Sequence, residues 1–372
     1  MGLHGCPLPD PDALEPGVEQ PRAQLTWQFV RQARACEVAG SPLYAMILRA
    51  AAQDLQAGGL TWELTREHVA PGRGNAIALR LMAALHRLVL TDQAPALRDV
   101  VGAREVDRAA DNLWADVHAT MEEHRDSLPA LVALGCQTNE PGRSAALILG
   151  VLAVADHTGL PVAIHEMGTA AGLNLRLDHF RYGGDGATFG PADSPVNLEG
   201  YWVDLPRRPA GPLEVVERRG VDRTPIDPAT EAGRLALTSS VWIDQHDRLD
   251  RLDGAIDLAS RHPATIETGD AATWVEDVVR PVGGQVVVLM HSVVEEYLSD
   301  EERARIDAAI RRAGAAATPN APVARARLEP VSAVRRHGLR VQCWPGDAEE
   351  LLVTSAALGS DVRRPTSAEL SG

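Results

Sequence analysis

Between Val162 and Phe180 the chain reads VAIHEMGTAAGLNLRLDHF, an apolar run that ends on Glu166 and is followed by small residues at alternate positions, Gly168, Ala170 and Gly172, before a helix-like pattern begins. In an open α/β sheet, ligands bind beyond the carboxyl ends of the strands, where such a loop feeds a helix amino terminus. Small residues there leave backbone open to a ligand, and they serve close helix-strand packing as well. A dinucleotide fingerprint needs G-x-G-x-x-G with pyrophosphate on the helix dipole. This loop has only two glycines, and the Glu166 carboxylate would repel a pyrophosphate while suiting a ligand that carries an ammonium or sulfonium group.

A second group of chemistry-bearing residues follows the apolar run QVVVLMHS. His291 stands at the carboxyl end of that run, and an imidazole with an ordinary pKa near 6.5 accepts a proton at cellular pH. Glu295 and Tyr297 lie within two helical turns of it, as groups for chemistry or for capping and packing. The stretch QTNEPGR, residues 137–143, reads either as a helix-helix turn or as an amide, carboxylate and guanidinium set, including Asn139 and Arg143, that recognises an amino-acid moiety. His165 alternates with Glu166 and so points to the opposite face, as a core histidine. Trp242 could stack on an adenine or attract a sulfonium, but reads first as a core tryptophan. Arg176 and Asp178 read as a structural pair.

No metal site is legible. HExxH is absent, and His246 with Asp244 and Asp247 lacks convergent spacing. GRSAA is not a nucleophile elbow, which needs glycine on both flanks of the serine.

The elements that must position these groups change character halfway. From Leu25 to about Thr158 the segments read as helices: Ser41 and Pro42 make an N-cap and first turn, Gly58 and Gly59 a stop, and Ile77, Leu81, Leu85 and Leu88 one buried face. NLWADVHATMEEHRDSLPALVAL reads as a further helix. After Gly159, short β-branched runs alternate with helical patterns: PVAIHE, LEVVERRGVD, ATIETGD, QVVVLMHS and ARARLEP, then LRVQCWP and ELLVTSA. The alternation predicts a mostly parallel sheet with helices on both faces. The short PGDAEE link predicts an antiparallel hairpin at the end. Residues 181–212, rich in Gly, Pro and Asp, read as a long insertion without obvious structure.

The formal net charge of −15 argues against nucleic-acid or anionic-membrane partners. Four cysteines, Cys6, Cys36, Cys136 and Cys343, are widely spaced and read as reduced thiols. Residues 1–24 read as a flexible tail without the pattern of a signal peptide. No window approaches the roughly 20 apolar residues of a membrane span, so a cytoplasmic protein is expected.

HEMGTAAG resembles the first motif of class I S-adenosylmethionine-dependent methyltransferases, with Ala170 in place of the usual middle glycine. The resemblance implies a Rossmann-like sheet and S-adenosyl-L-methionine held by Glu166, Gly168, Ala170 and Gly172. It also implies a ribose-binding acid at the end of the second strand, Asp222 with Glu217 as competitor, an acid near the adenine, Asp270, and substrate-facing groups at His291, Glu295 and Tyr297. QTNEPGRSAAL, GLNLRLDHFRY, SPVNL, ERRGVD, VWIDQ and HSVVEEYL, in that order over about residues 25–357, are similar to a bacterial family known as domain of unknown function 2332, which carries no settled activity.

The expectation is therefore a helical cap or substrate domain, residues 25–158, and a Rossmann-like cofactor domain, residues 159–372. Asn139 and Arg143 would face the cofactor's amino-acid end, and the acceptor would be a small molecule. Two rivals stand beside methyl transfer. In one, S-adenosylmethionine is itself consumed by a lyase or cyclase, with groups such as Asn139 and Tyr182 positioning its amine. In the other, a degenerate fold only binds.

Overall fold

The computed structural model describes residues 7–13, 15–17, 19–68, 76–101, 110–205, 212–331, 336–346 and 348–370. The chain divides into two compact units, residues 1–138 with 235–249, and residues 139–234 with 250–372.

The first unit holds α1 (Pro21–Val38), α2 (Pro42–Ala57), α3 (Leu60–Thr65), α4 (Ile77–Leu90), α5 (Pro95–Val101), α6 (Ala110–Glu123) and α7 (Leu128–Ala133). α2 starts at Pro42 and stops at Gly58, whose left-handed φ of 77° a side chain would resist. Ser41 does not cap it with its own hydroxyl. Asp244 does so instead, accepting from the Ser41 hydroxyl at 2.6 Å and the Leu43 amide at 3.1 Å. Ile77, Leu81, Leu85 and Leu88 are buried together in α4. NLWADVHATMEEHRDSLPALVAL is broken into α6 and α7, because Pro129 has no amide to continue a helix and suits only a first turn. Trp242 packs against Tyr44, ring centroids 6.0 Å apart, with the Arg248 guanidinium over its face. Within residues 1–24, the Ala13 carbonyl accepts from Trp27 Nε1 at 3.1 Å and Asp12 pairs with Arg34.

The second unit holds α8 (Ser144–Thr158), β1 (Val162–Met167), β2 (Arg181–Gly184), β3 (Ala187–Phe189), β4 (Asn197–Asp204) and β5 (Val215–Asp222). α9 (Glu231–Ser239) and α10 (His246–Arg261) carry the chain out to the first unit and back. Then follow β6 (Thr265–Thr268), α11 (Ala271–Val278), β7 (Val286–Ser292), α12 (Asp300–Ala315), β8 (Val323–Val331), β9 (Arg336–Trp344), β10 (Glu349–Ser355), β11 (Val362–Arg363) and α13 (Ser367–Leu370). Among the described residues one sheet runs β3-β2-β4-β11-β10-β9-β8-β7-β1-β5-β6. The block β8-β7-β1-β5-β6 is parallel throughout. From β1 the chain builds outward through β5 and β6, then returns to β7 and β8 on the other side. The order therefore reverses between β1 and β7, the place where open α/β sheets form a crevice.

Three sequence expectations are corrected. α8 belongs to the sheet unit, so the division falls after residue 138 rather than 158. α8 is apolar nearly all round and is covered accordingly, and a methyl on its Gly150 would stand 3.1 Å from Val341 Cγ2. The antiparallel finish is a three-strand meander, β8-β9-β10, rather than one hairpin. The insertion is not structureless: β2, β3 and β4 lie in it. Gly184 and Gly186, with φ of 139° and 69°, turn β2 into β3, and Tyr182 stacks on Trp202 at 5.6 Å in its core. Residues 206–211 of that insertion, and Cys6, lie outside the described residues. Among the described residues, no helix is long and apolar enough to cross a membrane.

Candidate functional site at the strand ends

β1 ends in a loop of alternating left-handed residues, with φ of 66° at Gly168, 52° at Ala170 and 69° at Gly172. That repeat is the structural meaning of the small-residue spacing, since larger side chains resist this conformation. Two side chains pin the loop from outside. Asp222, at the end of β5, accepts from the Ala170 amide at 2.9 Å and the Thr224 amide at 2.9 Å. Asn139 Oδ1 accepts from Ala171 N at 3.2 Å and Leu173 N at 2.9 Å. Both residues of the sequence reading thus meet the loop, through its backbone. Glu217 instead faces His165 from mid-strand, Oε2 to Nε2 3.2 Å, so Asp222 is the acid beside the loop.

Glu166 is fully buried and accepts the Thr169 hydroxyl. Burial pushes its carboxyl up to about 8, against the opposing pull of Thr169, Arg176 and Arg143. The space beside two of the loop glycines is filled by protein. A methyl on Gly168 would lie 2.4 Å from Val294 Cγ2, and one on Gly172 would lie 2.6 Å from Ile266 Cδ1. Asp270 caps α11, accepting from the Thr273 amide at 2.9 Å, which with the other bonds to Thr273 and nearby arginines holds it below the usual range. Arg143 donates to the Ala357 carbonyl at 3.3 Å, and its charge reaches Glu166 and Glu329 alike.

On the other face of the sheet, His291, next to last in β7, stands in a dense ionic cluster. Its side chain is fully buried, and Arg325 Nε and Nη2 both stand 3.2 Å from its Nε2. A guanidinium only donates, so Nε2 is an acceptor and the ring proton sits on Nδ1, given to Glu329 Oε1 at 2.8 Å. Burial, then the Arg325 charge, holds His291 well below its ordinary value. Glu329 Oε1 also accepts from Val294 N at 3.1 Å, and burial raises this carboxyl to about 7. Glu295 accepts from Arg325 at 3.3 Å and Arg327 at 3.1 Å. Tyr297 stands about half exposed beyond it. Val293, just after β7, has a φ of 55°, a costly setting for a β-branched residue.

The sequence reading missed Arg325, Arg327 and Glu329. The signal was there in VARARLEPV: charged side chains at every second position of an apolar strand share one face. His291, Glu295 and Glu329 are spaced so that they could hold a metal ion. The cation positions against them are already taken by Arg325 and Arg327, which would oppose a dication. Arg176 donates to the Gly172 and His262 carbonyls, Asp178 pairs with Arg218, and Tyr182 donates to the Leu177 carbonyl at 2.6 Å. These three serve the fold around the loop.

Residues 27–363 match the family described as "Uncharacterized protein conserved in bacteria (DUF2332)". The chain belongs to that family. No curated protein and no solved structure matches it. Within this DUF2332 chain, the matched span takes in the loop after β1, Asn139, Arg143 and the whole β7-β8 cluster.

Proposed function

We propose that the second unit binds S-adenosylmethionine at the carboxyl ends of β1, β5 and β6 and uses it to methylate a small molecule. The observation that carries this reading is the left-handed loop directly after β1, beside the reversal of strand order, with the Asp222 carboxylate on its Ala170 amide. Ligands of open α/β sheets occupy this place. Asp222 and Asp270, at neighbouring strand ends, are both partly exposed, so ligand hydroxyls could reach them. Asp222 and Asp270 are the residues that would hold the adenosyl half. On the other side Val294 fills the space over Gly168, and the ligand needs it to turn aside.

Bound there, S-adenosylmethionine would supply an electrophilic methyl group on a sulfonium. The chain's own contribution is alignment, which accounts for much of the rate in displacement chemistry. Glu166 stays sealed behind Thr169 and braces the loop. Asp222 and Asn139 set its backbone. His291, its Nε2 held by Arg325, positions Glu329.

The non-catalytic binding reading draws on a specific observation too: Val294 packs over Gly168, and Asp222 and Asp270 already accept backbone amides. Calorimetric titration of the folded chain with S-adenosylmethionine and S-adenosylhomocysteine tests the site. Binding that is lost in Asp222→Ala, with the circular dichroism spectrum intact, supports the proposal. No heat at about millimolar ligand overturns it. Mass analysis of the nucleoside product then separates methyl transfer, which leaves S-adenosylhomocysteine, from cyclisation or lysis, which leave methylthioadenosine.

A further inference from the structure

A polar cleft opens on the β8-β9 meander, lined among others by Glu295, Arg327, Glu329, Gly338 and Arg340. Most charges there are spent on one another. Arg327 gives Nε and Nη2 to Glu349 at 2.9 and 3.0 Å and Nη1 to Glu295. Arg325 is divided among His291, Asp307 and Glu295. Glu295 receives both guanidiniums.

Two groups keep unused capacity. Glu329, its side chain 9% exposed, binds His291 and Val294 N through Oε1, while its Oε2 is buried and has no hydrogen-bond partner. A buried carboxylate oxygen left unpaired is costly, and each such group in a native protein calls for an explanation. Arg340 stands 4.0 Å from Glu349, beyond hydrogen-bond reach. The register puts the two groups together. Glu329 lies opposite Gly338, which sets no side chain between them, and Arg340 lies two residues further along the same face, opposite Arg327. Such diagonal neighbours are about 7–8 Å apart. A carboxyl group with one unbonded oxygen and a guanidinium held only by a long ion pair to Glu349, on one face of the cleft, define a ligand with one charge of each sign.

The geometry points to a binding site for a small zwitterion of the amino-acid class, its ammonium group on Glu329 Oε2 and its carboxylate on Arg340. A dicarboxylate would leave Glu329 facing an anion, and a dication would meet Arg327 and Arg340. The assignment does not depend on the adenosyl reading, whose acids Asp222 and Asp270 lie at other strand ends.

The test uses the full chain at about pH 8, where Glu329, raised to about 7 by burial, is ionised, and the standard α-amino acids at up to about 10 mM, read by thermal shift and then calorimetry. At least one amino acid is expected to stabilise the fold and titrate. Its N-acetyl and carboxamide forms, each lacking one charge, should bind at least about tenfold more weakly. Glu329→Gln keeps the Oε1 acceptor for His291 and Val294 while removing the anion, and Arg340→Met removes the cation. Both should bind about tenfold more weakly or worse while remaining folded. No binding by any amino acid, or binding indifferent to both substitutions, overturns the assignment. So does magnesium, manganese or zinc chloride binding in their place to protein stripped with chelator, if Glu329→Gln abolishes it.

Discussion

Val294 Cγ2 occupies the place a methyl group on Gly168 would need, 2.4 Å away, so the ends of the two central strands are locked side to side. Gly168→Ala must both enter a left-handed conformation and displace Val294. The expected cost is about 2–4 kcal/mol. In a double-mutant cycle with Val294→Ala, the steric part should return while the backbone part remains, giving a coupling energy of about 1 kcal/mol or more. Chemical denaturation of the four proteins measures it, and strict additivity would refute the contact.

Asn139 predicts a related loss. Its Oδ1 is the acceptor for two loop amides, Ala171 and Leu173, both in buried residues. Asn139→Ala leaves both donors unpaired and should cost about 2–4 kcal/mol, with faster hydrogen exchange at Ala171 and Leu173. Asn139→Asp keeps the acceptor oxygen and should protect those amides better than alanine does. Equal exchange in the two variants would mean that the side chain does not hold the loop.

How much of this was legible depends on the kind of signal. Period and breaker residues located α2, α4 and the parallel strands, because Pro42, Gly58 and the alternation of β-branched runs act locally. The strands within residues 181–204 are not legible locally, because Gly184 and Gly186 mark turns whose strands are completed only by partners far along the chain, such as β11. The acid at Glu166 was visible. Its burial, and the pairing of His291 with Arg325, follow from which strands lie side by side, and no local pattern carries that. The helix-helix turn and the ligand-facing reading of QTNEPGR resolve partly: Asn139 pins the loop, and Arg143 lends charge to Glu166 and Glu329.

Arg325 beneath His291 makes a spectroscopic prediction. With Nε2 accepting and burial opposing charge, His291 should show the Nδ1–H tautomer by nitrogen NMR, unchanged between about pH 5 and 8. Arg325→Met removes a partner from His291, Glu295 and Asp307 together and should cost about 3–5 kcal/mol. Arg325→Lys should recover only part of this, because an ammonium cannot reproduce the forked geometry. Titration of His291 near its ordinary value in the unaltered protein would contradict the arrangement.

The buried acids and histidines make stability depend on pH in opposite directions. Glu166 in the folded chain is raised to about 8 and Glu329 to about 7, so above the ordinary carboxyl range the folded state holds protons that the unfolded chain releases. Stability contributed by these two groups is present at low pH and falls as pH rises to about 8. His86 in the helical unit is lowered to about 4 by burial, as is His337, so each costs stability as pH drops below about 6.5. The two trends oppose one another between about pH 4.5 and 6.5, and only the acids act above that window. Glu166→Gln keeps an acceptor for the Thr169 hydroxyl and cannot ionise. It should therefore raise stability by about 4–5 kcal/mol near pH 8.5 and change it little near pH 4.5. Urea denaturation at the two pH values decides the matter: an equal effect at both would mean that Glu166 does not carry its proton into the folded state.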